Sequence, residues 1–299
     1  MADPAADKPK TPDPPSSRTL RPDLATLAGI GVALAGILGG LLLEKGSIQD
    51  VAQGTAAMIV LGGTLGAVLV TNPMPLVLRA FRGLGNIFFE RAGGTQATID
   101  RLIGFATKAR KNGIVSLETD AASIGDPFLM KALNLAVDGT DLQELRKMME
   151  TDIALAEQAA DAEARVWESA GGYAPTIGII GAVMGLIQVM KHLEDIKEVG
   201  HGIAVAFVAT VYGVGSANIF FLPAAAKLRA RLREATQLKE MMLEGIVGIV
   251  EGLNPTLIRL KLDAFNTQRP AAKKKPAAEP RPAPAKAAAP KPEPASTRT

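Results

Sequence analysis

Four stretches of the chain carry apolar residues almost without interruption: Leu24–Leu43, Gly54–Val70, Ala174–Met190 and Gly202–Leu222. Each holds roughly 17–22 residues without a formal charge, the length and polarity needed to cross a hydrocarbon core of about 30 Å. Helices of a soluble protein rarely lack a polar face in four places, so the pattern predicts four membrane spans. A cleaved signal peptide fits poorly, because a long Pro-rich stretch precedes the first span and no small-residue cleavage site follows it.

After Pro75 polar positions return with helical spacing. From Asp141 onward Leu142, Leu145, Met149 and Ile153 recur on one face, and Ala156, Ala160 and Ala164 continue the stripe towards Trp167. That spacing predicts a helix running into the third span, with Trp167 and Tyr173 near headgroup level. A second amphipathic helix is expected after Pro223, burying Leu228, Leu232, Met242, Ile246 and Val250. Pro175 reads as the start of the third span, where a missing N–H costs least, and Pro223 as the end of the fourth. No alternating stretch is long enough to predict a sheet. The expected architecture is an all-α membrane protein of four transmembrane helices with a large helical cytoplasmic region.

The order of segments follows: a tail over 1–22, spans one and two over 23–74, a helical region over 75–168, spans three and four over 169–224, an amphipathic helix over 225–266 and a tail over 267–299. Both tails are rich in Pro, Ala and Lys without apolar periodicity, so they read as disordered. The Lys273–Lys275 run in the second reads as solvated rather than as a lipid contact.

Charge sets the orientation. Arg79, Arg82, Arg91, Arg101, Lys108, Arg110, Lys111, Lys131, Arg146, Lys147 and Arg165 lie between spans two and three, and Lys227, Arg229, Arg231 and Arg233 follow span four. The positive-inside tendency makes these segments cytoplasmic, places the connectors Glu44–Gln53 and His192–His201 outside, and puts both termini inside. Net charge is only +3. There is no cysteine for a disulfide or thiolate site, and His192 and His201 are too few for a histidine metal site. No catalytic triad, phosphate loop or acid pair is present, so no cofactor and no enzymatic activity are expected, and no nucleic-acid partner.

The spans are as informative for what they lack. A proton relay normally places an ionisable side chain at membrane depth, at about 2.5–3.5 kcal/mol on insertion scales. None of the four spans holds one; their polar groups include Thr64, Thr176, Gln188, Thr210, Tyr212, Ser216 and Asn218. A chain that handles ions with these spans needs a partner to supply the carboxylate. Small residues form stripes at Gly178, Gly181, Ala182 and Gly185, and at Ala206, Ala209, Thr210, Gly213 and Ala217. Such stripes suit close helix packing, within the chain or around a partner. The spacings Gly36 to Gly40 and Gly62 to Gly66 read as packing only.

The run Ala174-Pro-Thr-Ile-Gly-Ile-Ile-Gly-Ala-Val-Met-Gly-Leu-Ile187, with Gly202-Ile-Ala-Val-Ala-Phe-Val-Ala-Thr-Val-Tyr-Gly-Val-Gly-Ser-Ala-Asn218, resembles the third and fourth spans of MotA-type flagellar stator subunits, members of the MotA/TolQ/ExbB superfamily. The resemblance extends from Leu24 to Phe265 and includes the layout of two spans, a long loop and two spans. It implies a multi-pass protein of the bacterial inner membrane that converts ion flow into rotation. It also implies a homo-pentamer of this chain around two single-span MotB-type subunits, with an aspartate of the partner carrying the ion. Pro175, Ala182, Thr210 and Pro223 would lie along the path, and Gly178, Gly181, Gly185, Ala206 and Gly213 would pack around the partner helix. Sodium-driven relatives usually carry threonine at the position of Ala182, so the resemblance favours H+ over Na+. Lys108-Ala-Arg-Lys-Asn-Gly-Ile-Val-Ser-Leu-Glu118 resembles the rotor-contacting segment, implying that Arg110 and Glu118 meet charges on the rotor protein FliG, with Glu150 a weaker candidate. The alternatives are a TolQ/ExbB-like proton-channel subunit powering envelope or uptake processes, which typically has one span before the large cytoplasmic region, a passive membrane scaffold, and a small-solute transporter.

Overall fold

The structure is a computed structural model, and it describes residues 20–91 and 95–265. Most of both expected disordered tails, including Lys273–Lys275, lies outside the described residues.

All four expected spans are helical. The first runs Leu24–Leu43, and its N-terminus is capped by the Asp23 side chain, which accepts from the N–H groups of Ala25 and Thr26. Lys45 adopts φ 61° in the turn that follows, and a capping box between Ser47 and Asp50 starts the short helix Ile48–Val51. The second span continues from Gly54 to Thr71 with a π-helical turn at Met58–Gly62. Pro73 then separates it from an amphipathic helix, Met74–Gly83.

Two helices dominate the rest. Leu142–Lys191 is one helix of 50 residues, as the stripe from Leu142 predicted, and Ile196–Val250 is helical for 55 residues. Neither proline marks a boundary. Pro175 lies inside the first of these helices. Its ring displaces the bond to the carbonyl of Gly171, where glycines at 171 and 172 leave the backbone least obstructed. Pro223 lies two residues past a π-helical turn at Ala217–Phe221, whose wider winding already breaks the regular i→i−4 ladder. The helix therefore passes through the proline instead of ending at it.

The expectation of no sheet needs one correction. Leu20–Pro22 pairs antiparallel with Phe89–Arg91, so the end of the expected tail is ordered backbone. Strands of three residues are too short to show alternation in sequence.

Outside the spans, a helical body packs the helices Thr95–Asn112, Pro127–Val137 and Pro255–Asp263 against the non-spanning parts of the two long helices. Its core contains Leu102, Leu133, Leu145, Met149, Met241 and Ile246, all buried. Each such side chain contributes about 1.5–3 kcal/mol. Of the positions expected to be buried after Pro223, Met242 and Ile246 are buried and Leu228, Leu232 and Val250 half-buried. Trp167 is buried within the protein: its indole N–H donates to Ala80 O at 3.3 Å, and its ring packs among Phe81, Phe220 and Phe221.

Candidate functional site

Spans three and four run antiparallel and touch backbone to backbone. A Cβ on Gly213 would lie 2.6 Å from the Ala174 carbonyl oxygen, one on Gly178 2.9 Å from that of Ala209, and one on Gly185 2.7 Å from that of Gly202. A Cβ on Gly181 would meet the Ala209 side chain at 2.7 Å. The glycines expected to pack around a partner helix, Gly178, Gly181, Gly185 and Gly213, are thus covered within this chain, together with Ala206. Their role in the structure is to bring the two spans together, because only a missing side chain permits this approach. Gly36, Gly40, Gly62 and Gly66 have no heavy atom near the Cβ position, whereas Gly63 abuts Ile177.

The close contact fixes the four positions of the expected ion path. Pro175, Ala182 and Thr210 are half-buried and Pro223 is exposed. Thr210 adjoins Gly178, whose Cβ position is 3.5 Å from the Thr210 Cα. The Thr210 hydroxyl donates to Ala206 O at 3.3 Å, which leaves its oxygen lone pairs available as acceptors. Ala182 offers a methyl group and no oxygen. The second span covers the other side of the pair: Ala56 and Val60 cluster with Val208, Ala209 and Tyr212. Tyr212 donates its hydroxyl to Val51 O at 2.5 Å and accepts from the Gln53 N–H at 3.3 Å, tying the fourth span to the entry of the second. Thr64 is buried on this face with no hydrogen-bond partner for its hydroxyl.

Ionised groups gather where the spans end. Asp23 is buried, and besides capping the first span it accepts from Lys227 Nζ at 2.6 Å and Arg231 Nη2 at 2.8 Å. Lys227 above all, then the Thr26 N–H and Arg231, hold its carboxyl far below the usual carboxylate range against the opposing effect of burial. Arg229 donates to Glu168 through both terminal guanidinium nitrogens, at 3.1 and 2.5 Å, and through Nε to Asp161 at 3.1 Å. Arg229 depresses the Glu168 carboxyl; Arg165 and then Arg229 depress that of Asp161. The cations after span four are therefore largely neutralised by acids of the same chain. Sequence reasoning missed the Asp23 cluster, although an Asp directly before an apolar run and a Lys–Arg pair at i, i+4 were both visible.

The rotor-facing candidates lie in the helical body outside the spans. Arg110 is in the last turn of the helix Thr95–Asn112 and Glu118 follows the turn at Gly113, where φ is +81°. They occupy different elements, not one helix face. Both are exposed, and neither has an ion-pair partner among the described residues, whereas their neighbours Lys108 and Asp120 pair at 2.6 Å. Arg110 also borders a cleft of about 370 Å³ with Ile114, Thr140 and Leu253. Glu150 is 3.8 Å from Arg146, which binds Glu244 at 2.9 Å. No cluster of three or more His, Asp or Glu side chains suited to a metal ion occurs among the described residues.

Comparison with known proteins bears on both regions. The sequence matches the MotA/TolQ/ExbB proton channel family over residues 120–241 and the Motility protein A N-terminal family over residues 27–113. It is 35% identical over 253 residues to Motility protein A of Helicobacter pylori (strain 26695), covering 85% of this chain and 98% of that one. It is 33% identical to Motility protein A of Bacillus subtilis, covering 80% and 89%, and 32% identical to the chemotaxis protein PomA of Vibrio alginolyticus, covering 79% and 92%. Its fold is similar to a chain of the C. jejuni MotAB structure, with a TM-score of 0.79 at 31% identity, covering 83% of this chain and 98% of that chain. It also matches the flagellar MotAB stator complex from Bacillus subtilis, with a TM-score of 0.74 at 32% identity, covering 81% and 95%.

Proposed function

The chain belongs to the motility protein A family, and from that premise we propose that it is the ion-channel A subunit of a flagellar motor stator, working with a single-span MotB-type subunit in the bacterial inner membrane. The observation that carries this reading is chemical. The matched region includes all four spans, and those spans contain no group able to take up and release a proton near neutral pH. The titrating carboxylate comes from the partner.

In this reading the partner's helix lies along the surface of spans three and four that includes Pro175, Ala182 and Thr210, and the Thr210 oxygen is the polar group presented to the partner's carboxylate. Hydrogen ions are the coupling ion, because Ala182 has no oxygen to replace the hydration shell of a sodium ion. Each charge that crosses releases roughly 2.3 kcal/mol per 100 mV. Five copies surround two partner helices, with both termini of each copy in the cytoplasm. Movement of the spans reaches the cytoplasmic body through the two long helices, the first of them about 75 Å long at 1.5 Å per residue. Arg110 and Glu118, exposed and without ion-pair partners among the described residues, meet opposite charges on FliG. Exposed pairs contribute only about 0–1 kcal/mol, which suits contacts that form and break at every step. The chain is not an enzyme.

The motility-type N-terminal match, which takes in the first two spans, disfavours a TolQ/ExbB-like subunit. The test is rotation of tethered cells in a stator-deleted bacterium expressing this chain with its cognate partner. Rotation that persists without sodium and stops when the proton gradient collapses is expected. Sodium dependence would overturn the choice of ion. Absence of rotation from a verified assembly would overturn the flagellar role.

A further inference from the structure

The helix Met74–Gly83 begins three residues after the second span ends at Thr71, and it has three distinct faces. Val77 and Ala80 are buried against the protein, and the Ala80 carbonyl is held by the Trp167 indole. Met74, Leu78 and Phe81, spaced i, i+4 and i+7, form a second face and are 57%, 47% and 45% exposed. Arg79 and Arg82 form a third; both are exposed and neither has an ion-pair partner among the described residues. The contrast with the neighbouring cations is direct, since Lys227, Arg229 and Arg231 are each bound to a carboxylate.

A helix with low overall hydrophobicity, a bulky apolar stripe and an arginine-bearing face adjacent to it is suited to lie in the plane of a membrane interface. Its connection to a span through only Asn72 and Pro73 keeps it at that level. We infer that Met74–Gly83 is an anionic-lipid site of the inner leaflet, in which Met74, Leu78 and Phe81 enter the acyl boundary while Arg79 and Arg82 bind headgroup phosphate. The inner-leaflet surface carries negative potential, and guanidinium groups donate to phosphate oxygens in a planar fork. The site rests on the membrane-spanning reading above but not on the ion or on the rotor contact.

The test uses the chain purified with its cognate partner in nanodiscs of phosphatidylcholine with or without phosphatidylglycerol. Because the chain has no cysteine, Leu78→Cys and Ile37→Cys each place one environment-sensitive fluorophore. Brominated lipids should quench the label at 78, and also that at 37, which serves as the reference within span one. Spin-labelled phosphatidylglycerol should associate with the complex in preference to spin-labelled phosphatidylcholine. That preference should fall by up to about fivefold for each arginine removed in Arg79→Gln, Arg82→Gln and the double variant. Unchanged emission from Trp167, the sole tryptophan, will show that the helix is still docked in the variants. Quenching at 37 without quenching at 78 would overturn the site, as would oxidative cross-linking of Leu78→Cys between copies, which would mean that a second copy covers this face. A lipid preference unchanged in the double variant would also overturn it. Absence of quenching at 37 would instead defeat the membrane-spanning reading itself.

Discussion

The helical body outside the membrane and the membrane spans bury opposite kinds of residue. In the body, Leu102, Leu133, Leu145 and Met241 point inward, and water drives their association. In the spans, Gly178, Gly185, Gly202 and Gly213 occupy the contact, while Ile179, Ile180, Val183 and Phe207 face outward. Lipid tails are as apolar as isoleucine, so expelling large side chains from lipid gains little. What remains is the dispersion energy of close backbone approach, and glycine permits it. The same chain thus folds by adding side-chain volume on one side of the membrane boundary and by removing it on the other.

The contrast can be broken most severely at Gly213. With a Cβ position 2.6 Å from the Ala174 oxygen, Gly213→Leu has no room without parting spans three and four. Loss of a monodisperse complex on size exclusion and loss of rotation are expected. In the body the sensitive change runs the other way. Leu133→Ala leaves a cavity and should cost about 2–5 kcal/mol, read as a lower unfolding temperature of the helical body outside the spans.

Asp23→Asn tests the boundary between the regions and should cost about 1–3 kcal/mol, because it leaves Lys227 and Arg231 half-paired in a partly solvated place. The sign of its pH dependence is fixed. Asp23 has a depressed carboxyl, so its stabilisation is complete above the ordinary carboxylate range near 4 and is lost as the pH falls below it. Thermal stability from this group should therefore be flat between about pH 5 and 8, and the share lost in acid should be missing in Asp23→Asn. At the small end of the scale is Ile180→Ala, which removes outward-facing volume from the third span. A shift within about 0.5 kcal/mol is expected, well below the cost of the equivalent truncation at Leu133, and comparable shifts would erase the contrast.

Legibility in the sequence followed the same division. The first span was readable to the residue, Leu24–Leu43, from its uninterrupted apolar run, and the structure adds the Asp23 cap where that run begins. The stripe from Leu142 to Ile153 announced both the long helix and its buried face. Pro175 and Pro223 misled, because proline reports the loss of one backbone bond and not whether a π-turn or flanking glycines absorb it. The glycine stripes were visible, yet their partner was not: spacing shows that a face is small, and only the fold shows that the adjoining span of the same chain covers it. Arg110 and Glu118 could be singled out by resemblance alone. Their lack of ion-pair partners among the described residues is visible only in the fold, where Lys108 and Asp120 have each other. The Asp23 cluster was illegible for a simple reason, since its acid and its arginine lie 208 residues apart.

That separation also imposes an order on biogenesis. Chain synthesis proceeds at about 5–20 residues per second, so roughly 10–40 s pass between the appearance of Asp23 and that of Arg231. Throughout that interval the N-terminal end of the first span has its cap but no counter-charge. The clasp closes only once the segment after the fourth span has been made, so the first of the four spans is among the last to be secured.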